Sequence, residues 1–404
     1  MKKSTLRLVS TLSFVFCVSF SDAQWMQTSL TTTNAPLCVA NSGSNIFAGT
    51  ANGGVFLSTD HGITWNAVNT GLTNTHVNCL VINGNNMFAG TDLFGSSSGA
   101  GVFLSTNNGT NWTHTSTGLP DTTIACLGIN GTNIFAGEGN EKAFLSTNNG
   151  TTWTSANSGM NTLNLIQGFA FTSTNSFAAT GGGGIFTSTN NGNSWTAANT
   201  GLTNLNIGAM AVNGSRIFAG SGQGMYYSIN NGGTWIADTT GMGMQSIYAL
   251  LVTGANTVFA GIYGAGVYYS FDNGLTWTAV NTGLSDLNVL SLASDGTYLY
   301  SANSYGGVWK RLLSDFATTG ITEKKDQLSL NIYPNPTNNQ VTIETNSMET
   351  QVLQVLDMEG RIILTQNIQS GKATLNTYNI VPGVYNLSIT GKDQKINRPL
   401  VILR

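Results

Sequence analysis

Charged side chains make up only 8% of this 404-residue chain, against about 25% in ordinary globular proteins. Proline is rarer still, with six residues, and histidine rarer again, with three. A chain kept disordered by its own charge is excluded. So is a long-helix or coiled-coil protein, because Gly, Ser, Thr and Asn stand where Glu, Lys and Arg would be needed. Residues 24–313 hold four basic and nine acidic side chains, so no basic field can neutralise a phosphate backbone, which argues against nucleic acid as a partner. His61, His76 and His114 show no zinc-ligand spacing, and no metal site is expected. Neither a phosphate-binding glycine motif nor a nucleophile elbow is present, and no cofactor is expected. Glycine, by contrast, is abundant, with 49 residues. The composition is that of a turn-rich, all-β protein.

Long apolar runs are also missing. Residues 8–20 form an apolar stretch of about 13 positions, short of the roughly 20 needed to span a bilayer. Lys2, Lys3 and Arg7 precede it, and Ser21, Asp22 and Ala23 follow with small residues at the recognition positions, so residues 1–23 read as a secretory signal peptide. Phe16 before Cys17 rules out a lipidated leader. No transmembrane segment is expected in the mature chain. Its three cysteines, Cys38, Cys79 and Cys126, are an odd number and occupy one repeated position, five residues before a glycine, where later copies have Gly168, Ala209, Ala249 and Ser291. That position calls for a small core residue, not a disulfide framework.

What organises the chain is a repeat. STDHGITW (58–65), STNNGTNW (105–112), STNNGTTW (146–153), STNNGNSW (188–195), SINNGGTW (228–235) and SFDNGLTW (270–277) recur at a period near 40. Several short alternating runs bounded by Gly or Asn turns separate successive copies, which is the signature of a propeller blade. The box resembles the Asp-box, or bacterial neuraminidase repeat. Asp60, Asn107, Asn148, Asn190, Asn230 and Asp272 are placed to fold back on backbone N–H groups. The following glycines can supply a positive φ, and Trp65, Trp112, Trp153, Trp195, Trp235 and Trp277 can plug the gap beside each blade. The resemblance implies that the boxes are structural and lie away from any ligand. Six boxes count six blades, but residues 289–313 supply three further strands without a box, and residues 25–34 resemble an orphan fourth strand. Joining them closes a seven-bladed ring over residues 24–313 and hides both edges.

Residues 314–327 read as a polar linker. Residues 328–404 lose the repeat and show seven strand-like runs, as expected of a small immunoglobulin-like β-sandwich. Tyr333, Pro334, Asn335 and Pro336, then Gly360 and Arg361, then Gly383 and Tyr385 resemble, in order and spacing, the type A C-terminal sorting domain of the type IX secretion system of Bacteroidetes. The resemblance implies the secretion machinery as a partner and export through the periplasm to the outer-membrane surface or beyond. It also implies removal of the tail within residues 314–327, with the product released or attached to surface lipopolysaccharide.

Sialidases carry the same boxes but need three arginines. Residues 24–313 contain only Arg216 and Arg311, which excludes that activity. Xyloglucan-cleaving endoglucanases with similar repeats use paired Asp residues between two propellers, and only one propeller is present. The leading expectation is a noncatalytic secreted or surface-bound recognition module for a glycan or a protein, and the alternative is a secreted glycoside hydrolase. An assembly scaffold like the photosystem II factors that share the repeat is a third reading, against which a sorting tail argues. The boxes hold one face of the ring nearly constant, whereas the turns between second and third strands and the links between blades vary. Variable loops on a rigid scaffold are where binding residues concentrate. Asp92, Phe94, Asp121, Glu138, Glu141, Tyr263 and Tyr305 are therefore the candidate ligand-binding set, with Asp121 and Glu138 the best acid–base pair if there is catalysis.

Overall fold

The computed structural model describes residues 24–30, 35–92, 100–120, 123–139, 142–160, 165–238, 241–316, 330–345, 350–357, 360–390 and 395–403. The expected signal peptide and most of the expected linker lie outside them. The chain divides into two compact units, Met1–Asp315 and Phe316–Arg404.

The first unit is a ring of seven four-stranded antiparallel sheets. Blade 1 runs outward through Pro36–Ser42, Asn45–Thr50, Val55–Ser58 and Asn66–Ala67. The innermost strands of the other blades are Val77–Asn83, Ile124–Asn130, Ile166–Phe171, Ile207–Asn213, Ile247–Val252 and Val289–Ser294. These seven adjoin one another around a closed circle. Each second strand is sandwiched between neighbouring blades and is buried along nearly its whole length. Phe47, Phe88, Phe135, Phe177, Phe218, Phe259 and Tyr300 form one aromatic ring of the core. In five blades the glycine two residues after the Phe (Gly49, Gly90, Gly137, Gly220 and Gly261) lets the next blade approach, and blades 4 and 7 have the small Ala179 and Ala302 there. A Cβ on Gly90 would lie 2.7 Å from Ile124 of blade 3 and 2.5 Å from the Cys79 sulfur. The three cysteines are thus small packing residues with free thiols, and burial pushes Cys38 and Cys126 up to about 12.

Blade 7 is completed from the other end of the chain. Its third strand, Gly307–Leu312, takes Met26–Gln27 as its outer neighbour, with Met26 opposite Lys310 and Gln27 opposite Trp309. The Thr28 amide and hydroxyl both donate to the Val308 carbonyl at 2.9 Å. Trp25 stands where a box tryptophan would, its amide donating to Thr282 and its indole to Val280 of blade 6.

In the boxes, the Asp or Asn side chain accepts the amide four residues on: Thr64 to Asp60, Asn111 to Asn107, Thr152 to Asn148, each at 2.9 Å. The opening serine accepts the glycine amide, as Ser146 does from Gly150 at 2.8 Å. Two consecutive residues take positive φ, for example Asn149 at 53° and Gly150 at 78°, which explains the Asn-Gly pairing because these two types tolerate that region best. The tryptophan then caps the preceding blade: Trp153 donates its indole N–H to Thr115 and its amide to Thr117, both at 2.8 Å.

Blades 1 and 6 keep a carboxylate in the box. Hydrogen bonds from the Thr64 hydroxyl and amide hold Asp60 down to about 2. Asp272 is also lowered: burial acts the other way, but Thr276, Ser270 and Leu275 outweigh it. A carboxyl whose folded pKa lies below its unfolded value of about 3.9 stabilises the fold above that value, and the contribution is lost as pH falls through the folded pKa. Melting temperature is therefore expected to fall between about pH 4 and about pH 2. The Asp60→Asn/Asp272→Asn variant, made like the other four boxes, should show a shallower fall. An unchanged slope in that variant would remove these carboxylates from the acid response.

The second unit packs two sheets. One orders Leu330–Tyr333, Gln340–Thr345 and Lys372–Asn376; the other orders Ile362–Ile368, Gln351–Leu356, Gly383–Thr390 and Lys395–Ile402. Val341, Ile343, Leu353, Val355, Leu387 and Ile389 form the centre of its core. The motif residues pin this sandwich. Asn335 donates to Pro399 and accepts from Val401, Arg361 pairs with Asp357 at 2.6 Å, and the Tyr385 hydroxyl turns back to the Val381 carbonyl at 2.7 Å.

Candidate functional site

The two ends of the ring differ in how fully their polar groups are used. At the box end, each first-to-second-strand turn sits beside the box of the next blade. Arg216 donates to the Asn273 carbonyl at 2.5 Å, Asn231 donates to Thr174, and His61 pairs with Asp295 at 2.7 Å across the seam between blades 7 and 1. Lys310 donates to the His61 carbonyl there. These contacts tie blade to blade and hold that end together.

At the opposite end, every innermost strand opens with a β-bulge, between Ile166 and Gly168 in blade 4 and at matching positions in the other six. A bulge re-aims the extra residue. The extra residues are Leu37, Asn78, Ala125, Gln167, Gly208, Tyr248 and Leu290, seven side-chain positions encircling the mouth of the central channel. Ala125 and Gly208 are small, and between them opens a cavity of about 300 Å³. Gln167 and Tyr248 line it with Ala125 and Gly208, and Leu165, Asn206, Gly222, Ser246 and Ile247 complete the wall.

Two amides in this cavity are uncommitted. Neither the Gln167 nor the Asn206 side chain has a hydrogen-bond partner among the described residues. Asn78, the bulge counterpart of Gln167 in blade 2, is by contrast bonded to Asp92 and to the Ile124 carbonyl. The Asn206 backbone is fixed, its amide accepted by Asn204 and its carbonyl taking the Gly222 N–H. Its side chain is thus presented by a rigid link.

Beside the cavity lies an aromatic surface. The rings of Tyr248 and Tyr263 sit 5.5 Å apart, tilted by 35°, and both are exposed, 51% and 43%. Tyr305, 71% exposed, adjoins Tyr263. Its phenol is the first cause of the Tyr263 hydroxyl being held above its ordinary value, with burial second. Asp286 positions this tyrosine from below. It accepts the Tyr305 and Gly306 amides on one oxygen, at 2.7 and 2.8 Å, and Asn288 on the other.

The residues singled out in the sequence fall into three groups. Tyr263 and Tyr305 come together. Asp92 and Glu138 lie in blades 2 and 3, with blade 2 as far from blade 6 as a seven-membered ring allows. Asp92 accepts the Thr123 hydroxyl at 2.5 Å. Glu138, 2% exposed, closes the second strand of blade 3 at the position where Thr50, Thr91 and Thr180 hydrogen-bond their own turns. Phe94, Asp121 and Glu141 lie outside the described residues. Tyr248 and Gln167 were not singled out, because nothing in a strand's alternation marks where a bulge will fall, and Asn206, in the link before the innermost strand of blade 5, carries neither charge nor ring to mark it.

A family model for the BNR/Asp-box repeat matches residues 56–67 and 268–279, and one for a secretion system C-terminal sorting domain matches residues 331–403. The repeat matches fall on the two boxes that keep Asp. The sorting domain implies the type IX secretion machinery as a partner and delivery to the cell surface or the extracellular space. No helix among the described residues is long and apolar enough to cross a membrane. No curated protein matches the sequence. Several solved structures share the fold. PorZ, a surface component of the type IX secretion system of Porphyromonas gingivalis, is 15% identical over 92% of this chain and 60% of its own, with a TM-score of 0.55. YCF48 from Cyanidioschyzon merolae is 17% identical over 72% of this chain and 99% of its own, at 0.55. The GH74 xyloglucanase of Xanthomonas campestris is 14% identical over 81% of this chain and 60% of its own, at 0.58. The chain thus spans about three fifths of the length of PorZ and of the xyloglucanase, and likeness at these identities concerns the fold.

Proposed function

Because the chain carries Asp-box repeats on a seven-bladed propeller and a secretion system sorting domain, we propose that it works outside the cell as a noncatalytic recognition module. It reaches the surface through the periplasm and loses its tail within residues 314–327. The ligand sits at the channel mouth on the end of the ring opposite the boxes. The observation that carries this reading is the bulge-built cavity with its two uncommitted amides. Its lining offers amides, a hydroxyl, a phenol and apolar surface, and no carboxylate. Glycoside hydrolysis asks for two carboxyl groups about 5–9.5 Å apart across the scissile bond. Glu138 is buried within its turn and Asp92 is tied to Thr123.

The test uses protein recovered from the medium and surface of producing cells. Intact mass should place its C-terminus within residues 314–327, and incubation with polysaccharides should yield binding without new reducing ends. Reducing ends released in proportion to protein would replace recognition by hydrolysis. A secreted form retaining Arg404 would overturn the removal of the tail.

A further inference from the structure

We infer that the ligand of the channel mouth is a neutral polysaccharide, lying along the track from Tyr305 through Tyr263 and Tyr248 to the amides of Gln167 and Asn206. The inference rests on the reading that this end of the ring is the binding face, and it adds the ligand's charge and shape.

Charge comes first. The propeller has four cations, Lys142, Arg216, Lys310 and Arg311. Arg216 and Lys310 are bonded to box carbonyls at the far end. Arg311 is buried and lies 3.5 Å from Asp315. Only Lys142 stands at the binding end, in the turn that begins with Glu138. An anionic glycan or a phosphate therefore meets no cationic clamp of the kind such groups need. Nor does the carboxylate beside the aromatic track offer itself to a cationic ligand. Asp286 spends both oxygens on the backbone and on Asn288, so it serves to position Tyr305.

Shape comes second. Three exposed phenol rings in sequence offer flat apolar faces with polar tips, which suit the C–H faces of pyranose rings while their hydroxyls reach water. Gln167 and Asn206 each present one acceptor and a two-proton donor, a pairing that sugar hydroxyls satisfy because they both donate and accept. The track passes from blade 7 through blade 6 to the cavity between blades 3 and 6, so it fits several linked sugars better than one.

Affinity electrophoresis and calorimetry of the full-length protein should be run against glucomannan, arabinoxylan, dextran and mannan, with polygalacturonate and alginate as anionic counterparts. Binding to at least one neutral polymer is expected, insensitive to salt, with none to the anionic pair. Each stacked ring should contribute about two- to tenfold in affinity, so Tyr248→Ala/Tyr263→Ala should weaken binding by about four- to a hundredfold. Gln167→Ala/Asn206→Ala should weaken it as well, with circular dichroism and melting unchanged in both. Ala125→Trp, which fills the cavity, should block it. Preferred binding of an anionic polymer, or failure of every neutral one, overturns the inference. If an anionic polymer or a peptide binds and Ala125→Trp abolishes that binding, the binding face stands and only the ligand class falls. Neutral binding that survives all three variants removes both.

Discussion

Deleting residues 24–34 is expected to abolish cooperative folding of the propeller at room temperature. The deletion removes two buried hydrophobic side chains, Trp25 and Leu30, whose individual truncations cost about 3–5 and about 2–5 kcal/mol. It also removes the pairing along Gly307–Leu312 and both hydrogen bonds of Thr28 to Val308. The edge left behind exposes Trp309, which is buried in the closed ring, and an open strand edge recruits other chains. Total stabilities of about 5–15 kcal/mol leave no margin for losses of this size. Thermal unfolding followed by circular dichroism, with size-exclusion chromatography, checks the result. A truncated chain that melts as a monomer within a few degrees of the full one would show that the last blade stands without its borrowed strand.

Trp153→Ala is expected to cost about 3–5 kcal/mol. The indole is buried in a cluster with Phe88, Val102, Ile124, Ile134 and Phe144, drawn from blades 2 and 3, so its loss opens a cavity between two blades. The Thr115 carbonyl loses its donor as well. Trp65→Ala makes the comparison, because that ring is only half-buried and its indole bonds the Thr28 hydroxyl instead. Its cost should be clearly smaller. Urea titration of the two variants gives the ordering, and equal costs would sink the view that burial of the indole sets the effect. Since Trp153 belongs to the blade interior, binding by the surviving fold should be unaffected.

Fold was legible where local chemistry repeats. Asn148, Gly150 and Trp153 each answer a need of one turn, and six copies made that need visible. The orphan fourth strand at residues 25–34 could be matched to the strands at 289–313 because each lacked what the other had. Of the proposed binding surface only the outer half was legible. Tyr263 and Tyr305 stood out because they interrupt variable loops with aromatic surface. Gln167 and Tyr248 did not, since a bulge is created by the fit of one strand to its neighbour and leaves no mark in composition, and Asn206 in its link carries neither charge nor ring. The carboxylates of blades 2 and 3 stand apart from that aromatic surface, and Glu138 replaces a turn threonine in a buried position, which no count of loop charges can reveal. The second strands were legible as strands but hid their full burial, because burial on both faces erases the alternation that usually shows which face points inward.

The borrowed strand also sets a schedule. Thr28 and Val308 are 280 positions apart, so a chain emerging from its N-terminus carries the closing strand unpaired until almost the whole propeller has been made. Blades can form locally in the meantime, because their own contacts are short in sequence, but the loop that closes the ring has the longest span and is entropically the most expensive. The ring therefore locks last. Full stability of the ring arrives only once its last blade has been made and both ends of the propeller can meet.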